Sequence, residues 1–360
     1  MDYIVGILIY LFLLFAVWFY SKTLKPNETG KLCLFSAILL SLFTGLSYDI
    51  GWDYLNYRTH IINGDIERFE FLERELMRLS KNIPQLFFII NHTAIISLTI
   101  WTINRYSPNK LLSIFVFICF PYQFLFGLST IRAALMVAII FAGYMCFLYE
   151  QNKPHWFILT VFIAFFIHQA ALAGIILLGL HYLKLGRWAN LVITILSFVL
   201  SASTMNLNIN FLNGISLFDG ISERFEYYKT VELSGGSVIH YCFFVLSLIG
   251  IVFYDKIKQY DIAKVSLSMV TVGFFLAMLF QQAPVLSSRL SRFFYIFSIL
   301  LIPYFINIVP KGLKGITKNL LYLTLLILLL YQLSIDNYNG MDYDRSSTYW
   351  PYKTFLNTGL

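Results

Sequence analysis

Arg132, Arg289, Arg292, His168 and Asp53 stand in or at the edges of long apolar runs. An ionisable side chain is expensive there, and where one persists it usually pairs, lines a cavity or does chemistry. Arg132 follows Leu128, Ser129 and Thr130 and opens the run 133–149. At the outer end of a helix it can offer an anion five donors in a fixed fork; otherwise it snorkels along apolar surface. Arg289 and Arg292 head the run 293–304. Their i,i+3 spacing puts both on one helical face, which suits a phosphate or pyrophosphate; plain interfacial anchoring is the alternative. His168 lies within Phe165-Phe166-Ile167-His168-Gln169. Its near-neutral pKa suits proton transfer or contact with a sugar hydroxyl, against a core histidine with its bonds satisfied. Asp53 stands among Tyr48, Trp52, Tyr54 and Tyr57. A carboxylate among aromatics can hold a sugar or accept a proton, whereas the aromatics alone make an interfacial belt. Glu70 is a weaker candidate, because the acids and bases around it can simply solvate a helix.

The elements that position these groups follow from composition. Of 360 residues, 58% are hydrophobic and 12% charged, against about 25% charged in a soluble domain. Apolar runs of about 20 residues recur along the chain, the length that crosses about 30 Å of hydrocarbon as a helix. The runs are continuous and do not alternate at period two, which excludes a membrane β-barrel. The net charge of +7 fits basic cytoplasmic links. Arg and Lys form no patch interleaved with aromatics, so nucleic acid is excluded as a partner. Cys33, Cys119, Cys146 and Cys242 all fall in apolar runs without CxxC spacing and read as small buried hydrophobes. The six histidines show no HExxH spacing, and no P-loop is present. Asp342-Tyr343-Asp344 matches a DxD pattern only formally. We expect no metal and no cofactor.

The fold class expected is all-α: a polytopic integral membrane protein of about eleven helices. Candidate spans are 3–20, 31–47, 84–103, 110–127, 131–149, 156–180, 188–204, 238–254, 263–281, 290–308 and 316–334. The first reads as a retained helix, since it lacks the basic start and cleavage site of a signal peptide. Residues 1–335 form one membrane domain and 336–360 a tail outside. Lysine- and arginine-bearing links face the cytoplasm, which puts the loops 48–83 and 205–237 outside. The links around Lys153 and Lys184 both favour the inside, with one run between them. A re-entrant pair of short helices meeting near His168 resolves this; one ordinary span with a weak violation of the charge rule is the alternative. In the first loop Phe69, Leu72, Leu76 and Leu79 recur at helical spacing, an amphipathic helix at the outer interface. The second loop carries Arg224 beside Tyr227 and Tyr228.

Four segments resemble the EpsG family of bacterial Wzy-like polysaccharide polymerases. Ile50-Gly51-Trp52-Asp53-Tyr54-Leu55-Asn56-Tyr57 resembles the family's Gly-x-Asp-x-x-x-Tyr loop, with Glu70 as the glutamate downstream. Ile131-Arg132-Ala133-Ala134-Leu135 resembles its Ile-Arg helix start, here without the following Gln. Phe166-Ile167-His168-Gln169-Ala170-Ala171-Leu172 is similar to its Phe-His-x-x-Ala-Leu segment, with Ile167 interposed. Arg289-Leu290-Ser291-Arg292-Phe293-Phe294, ahead of Pro303, resembles its Arg-x-x-x-Tyr-Phe helix, with Phe293 in place of Tyr.

The resemblance implies a glycosyltransferase of the cell envelope, an O-antigen, capsule or exopolysaccharide polymerase. It would act at the outer, periplasmic face of the bacterial inner membrane. The glycan passes from an undecaprenyl diphosphate carrier to a sugar hydroxyl of an incoming lipid-linked repeat unit. Arg132 and Arg289 would stabilise the departing diphosphate, and Asp53, Glu70 or His168 would handle the acceptor. Arg292, Tyr54, Tyr57, Trp52 and Arg224 would contact substrate. Membrane lipid, a chain-length regulator and a flippase of the same pathway would be its partners. Two rivals differ in kind. An O-antigen ligase would use the same leaving group, but usually has one large late outer loop. A non-enzymatic flippase should show paired repeats, and none is visible.

Overall fold

The structure, a computed structural model, describes residues 2–202, 236–341, 349 and 352–355. Arg224 and the rest of 203–235 lie outside the described residues. Among the described residues the chain is all-α apart from one two-residue strand pair. It divides into two compact units, one of residues 1–178 with 302–360 and the other of 179–301.

The first unit opens with α1 (Asp2–Thr23) and α2 (Thr29–Gly45), followed by strand β1 (Ser47–Tyr48). Two short helices then form the expected outer loop, α3 (Tyr54–Asn63) and α4 (Phe71–Leu79). Gly64 ends α3 in the left-handed conformation at φ 75°, where a side chain is disfavoured. After them come α5 (Gln85–Tyr106), α6 (Lys110–Cys119), α7 (Phe124–Ser129) and α8 (Ile131–Gly143). The last runs on as a π-helical stretch, Tyr144–Glu150. The run 156–180 breaks, as the charge pattern suggested, into α9 (Pro154–Phe165), a 3-10 segment Gln169–Gly174 and α10 (Ile175–Leu183). Proline is favoured in the first turn of a helix and opens α9.

The second unit is built on α11 (Arg187–Ala202), α12 (Gly236–Val252), the single turn α13 (Tyr254–Ile257), α14 (Asp261–Leu279) and α15 (Pro284–Tyr295). Gly273 lets α14 and α15 meet closely, since a Cβ there would lie 2.8 Å from the Phe294 Cβ. α16 (Ser298–Ile308) and α17 (Lys314–Met341) lead to strand β2 (Lys353–Thr354). In the first unit β2 pairs antiparallel with β1, Ser47 against Thr354 and Tyr48 against Lys353.

Among the described residues four helices are long and apolar enough to cross a membrane: Gln85–Tyr106, Ile131–Glu150, Asp261–Leu279 and Lys311–Ile335. The pair Pro284–Tyr295 and Ser298–Ile308, bent by 49°, makes a fifth. The remaining apolar stretches, with α1 counted from Ile7, run 10–17 residues, short of the length a straight span needs. Breaks account for part of this. The run 110–127 stops at Phe120, whose backbone turns extended ahead of Pro121, as a residue before proline tends to do.

Candidate active site

The segment 48–83 is folded onto the bundle. Tyr54, Tyr57 and Ile61 of α3, with Ile66 and Phe69, bury against Phe87 and Phe88 of α5, Ile131 and Leu135 of α8, and Ile167 at the break after α9. Gly51 makes this approach possible. Its φ is +88°, and a Cβ would stand 2.2 Å from the Leu128 carbonyl oxygen. Only glycine tolerates both conditions. The Trp52 N–H then donates to Ser129 Oγ at 3.4 Å. The loop that carries Asp53 is thereby pinned to the chain just before Arg132.

Arg132 occupies the first turn of α8 and is half-buried. Its Nε donates to the Tyr57 hydroxyl at 3.0 Å, and its Nη1 donates to Glu70 Oε2 in an ion pair. The guanidinium lies 4.8 Å from the Phe69 ring centre and 5.7 Å from that of Tyr57, within cation–π range. Burial pushes the Tyr57 phenol up to about 12, so Tyr57 keeps its proton while accepting from Arg132. Glu70 stands immediately before α4, and its other oxygen, Oε1, accepts the Gln169 N–H at 3.2 Å. The Leu72 N–H donates to the Phe166 carbonyl at 3.0 Å. The segment 48–83 thus satisfies backbone groups that the break between α9 and α10 leaves without helical partners, a need every helix end has.

The remaining sequence candidates are placed as follows. Tyr54 is 2% exposed and donates to Gln85 Oε1 at 2.7 Å. Gln85 in turn donates to the Gly45 and Ser47 carbonyls at 2.6 and 2.9 Å, so Tyr54 fixes α3 to the end of α2. Asp53 and Trp52 are half-buried, and the Asp53 carbonyl accepts the Tyr57 N–H at 2.9 Å. His168 is half-buried, and its Nδ1 accepts the Ala170 N–H at 3.2 Å. That bond caps the 3-10 segment and leaves the neutral ring's proton on Nε2. In the second unit, Arg289 is half-buried and Arg292 is 3% exposed, both in the last two turns of α15 ahead of the 49° bend. They therefore close a helix that starts at Pro284, and do not open the following run.

Three groups at this site were not singled out from the sequence. Ser129 receives the Trp52 N–H and shares a hydrogen bond of 3.0 Å with the Tyr349 hydroxyl. Tyr349 is brought there by the paired strand and by the Tyr10 hydroxyl, which donates to its carbonyl at 3.0 Å. Glu73, one turn after Glu70, is 2% exposed, and the i,i+3 spacing of the two acids was its only sequence signal.

Arg132, Tyr57, Glu70 and the Gln169 N–H make a compact donor-rich site. It can bind an anion, and it keeps a carboxylate beside that anion. Compared with known proteins, the chain matches the family model described as the EpsG family over residues 30–354. No curated protein and no solved structure matches it.

Proposed function

From the premise that the chain belongs to the EpsG family, a family of Wzy-like polysaccharide polymerases, we propose that it extends a glycan held on an undecaprenyl diphosphate at the outer face of the bacterial inner membrane. The apolar helices fit a multi-pass membrane protein, and we read about eleven of them as crossing or entering the bilayer, with 1–335 as the membrane domain. The loops 48–83 and 205–237 and the tail 336–360 then lie outside. The pairing of Ser47–Tyr48 with Lys353–Thr354 supports one side for loop and tail.

The observation that carries the reading is the clasp of Arg132 by Tyr57 and Glu70, all three drawn from the segments that resemble the family. In the reaction the bond between the anomeric carbon and the diphosphate oxygen breaks, and its electron pair leaves with the lipid diphosphate. The acceptor hydroxyl oxygen bonds to that carbon and loses its proton. Arg132, with the Tyr57 hydroxyl, holds the developing negative charge, the role of preorganised donors at a low-dielectric site. An arriving diphosphate competes with Glu70 for Arg132. Once displaced, Glu70 is an uncompensated carboxylate beside the reacting centre, suited to take the proton. Asp53 and His168 shape the acceptor side, where Trp52 offers a face for a sugar ring. Arg289 and Arg292, one helical turn apart, hold a second anionic group. The test uses the purified protein in lipid nanodiscs with a synthetic diphosphate-linked repeat unit. Products several repeats long are expected, with free lipid diphosphate released in proportion; transfer to lipid A alone, or transport without new bonds, would overturn the reading.

A further inference from the structure

Beside the Arg132–Glu70 pair lies a buried acid to which the proposed reaction assigns no role. Glu73 projects from the turn of α4 that follows Glu70 and is 2% exposed. The groups that face it are Arg132 from α8, Tyr57 from α3, Asn91 from α5 and Glu70, the residue just before its own helix. Arg132 carries one positive charge and is matched by Glu70. An ionised Glu73 would leave the buried cluster with net negative charge, at the place where an anion must bind. Asn91 supplies a neutral partner. Its Nδ2 donates to the Phe87 carbonyl at 3.1 Å and to Glu73 Oε2 at 3.5 Å. A neutral carboxylic acid keeps acceptor capacity beside its O–H, so Asn91 can hold Glu73 without supplying a countercharge.

We propose that Glu73 is a positioning residue held as a neutral carboxylic acid that accepts from Asn91, so that the positive charge of Arg132 stays available to a lipid diphosphate, and that ionisation of Glu73 weakens the grip on that anion. The proposal rests on the preceding reading of Arg132 as the diphosphate site. Burial, partly opposed by Arg132 and Asn91, pushes the Glu73 carboxyl up to about 7. Both forms are therefore reachable at working pH.

Infrared difference spectroscopy of the purified protein in nanodiscs reads the proton directly. A protonated-carboxyl carbonyl band is expected at about pH 6, fading through neutrality and missing in Glu73→Gln. Should Glu73→Gln fail to fold, Asn91→Leu removes the amide donor to Glu73, and the band should shift without vanishing. In polymerisation assays the wild-type KM for the diphosphate-linked donor should rise above neutrality by up to about tenfold per pH unit, while Glu73→Gln keeps the low-pH KM throughout. The absence of any Glu73-dependent band, a band unmoved in Asn91→Leu, or an identical KM profile in wild type and Glu73→Gln would overturn the proposal. An intact band in a protein that polymerises nothing would instead sink only the assigned reaction.

Discussion

Replacing Arg132 by lysine tests the site with the least collateral damage. Alanine would strand Glu70 next to a buried vacancy, and breaking a buried pair from one side costs about 3–5 kcal/mol in stability. Lysine keeps the charge and can still reach Glu70. It cannot also donate along the Nε direction to the Tyr57 hydroxyl at 3.0 Å, nor lay a flat cation 4.8 Å from the Phe69 ring centre. The same loss applies to a diphosphate, which a guanidinium grips with two parallel donors and an ammonium with one. One charge-assisted hydrogen bond is worth about 1.5–3 kcal/mol, so loss of the second donor should lower kcat/KM by about 10- to 150-fold. The assay is initial-rate release of lipid diphosphate from a synthetic donor, with product length read on the same samples. Folding is checked by thermal unfolding, where the change should stay within a few degrees. A folded Arg132→Lys protein with kcat/KM within about threefold of wild type and normal product length would refute the reasoning.

Gly51→Ala should lower both activity and Tm, because the new Cβ meets a backbone oxygen at 2.2 Å and φ is +88°; a strain of about 1–3 kcal/mol is expected, and an unchanged melt would count against the placement of the loop. Tyr349→Phe deletes only the hydroxyl shared with Ser129, so stability should fall by about 1 kcal/mol. Hydrogen exchange at Trp52 and Asp53 should accelerate, and unchanged exchange there would show that Ser129 is held without Tyr349. Glu73 also predicts a pH dependence of stability. Its folded pKa is raised from an ordinary 4.5 to about 7, so its contribution is fully present below about 4.5, declines as pH rises, and is gone above about 7. The total is about 3 kcal/mol, seen as a falling wild-type Tm across that window whose slope flattens in Glu73→Gln.

How much of this was legible in the sequence differs by element. The positions of the apolar runs were, because hydropathy reports them directly. The break near His168 was legible from the charge pattern, but the one in 110–127 was not: that run was read as one span, yet its helix stops at Cys119 ahead of Pro121. The helix holding Arg289 and Arg292 begins at Pro284, ahead of the apolar run, since its first turns are rich in serine. The stripe Phe69, Leu72, Leu76 and Leu79 pointed to an amphipathic helix at the outer interface, but not to which of its residues pack on the protein. The face of α4 actually turned inward carries Glu73 and Met77, whereas Leu72 is 41% and Leu79 77% exposed. In water the hydrophobic effect would drive both leucines inward. Next to a bilayer that force is absent, so apolar residues are free to face out and a carboxylate can take the inner face. Arg132 was recognisable because a charge heading an apolar run is rare, Asp53 from the aromatics around it, and Glu70 chiefly from the family resemblance. That Arg132 pairs with Glu70, 62 positions away, follows only from the docking of α3 and α4 on α8, which no local pattern encodes.

That docking explains why a carboxylate would be kept on the residue proposed to bind an anion. A simple competitor on Arg132 would only weaken substrate binding. Glu70, however, uses its two oxygens on different elements: Oε2 takes the Arg132 donor and Oε1 takes the Gln169 N–H. On the proposed reading a diphosphate displaces only the first contact. The second keeps Glu70 tethered to the break after α9, next to the centre where the acceptor hydroxyl must lose its proton. Binding of the donor would thus release the base at the moment it is needed, and the resting ion pair would hold the outer segment in place until then. The arrangement requires a helix break with a spare N–H at Gln169. It therefore accounts for an interruption in an apolar run that would otherwise have formed one continuous helix.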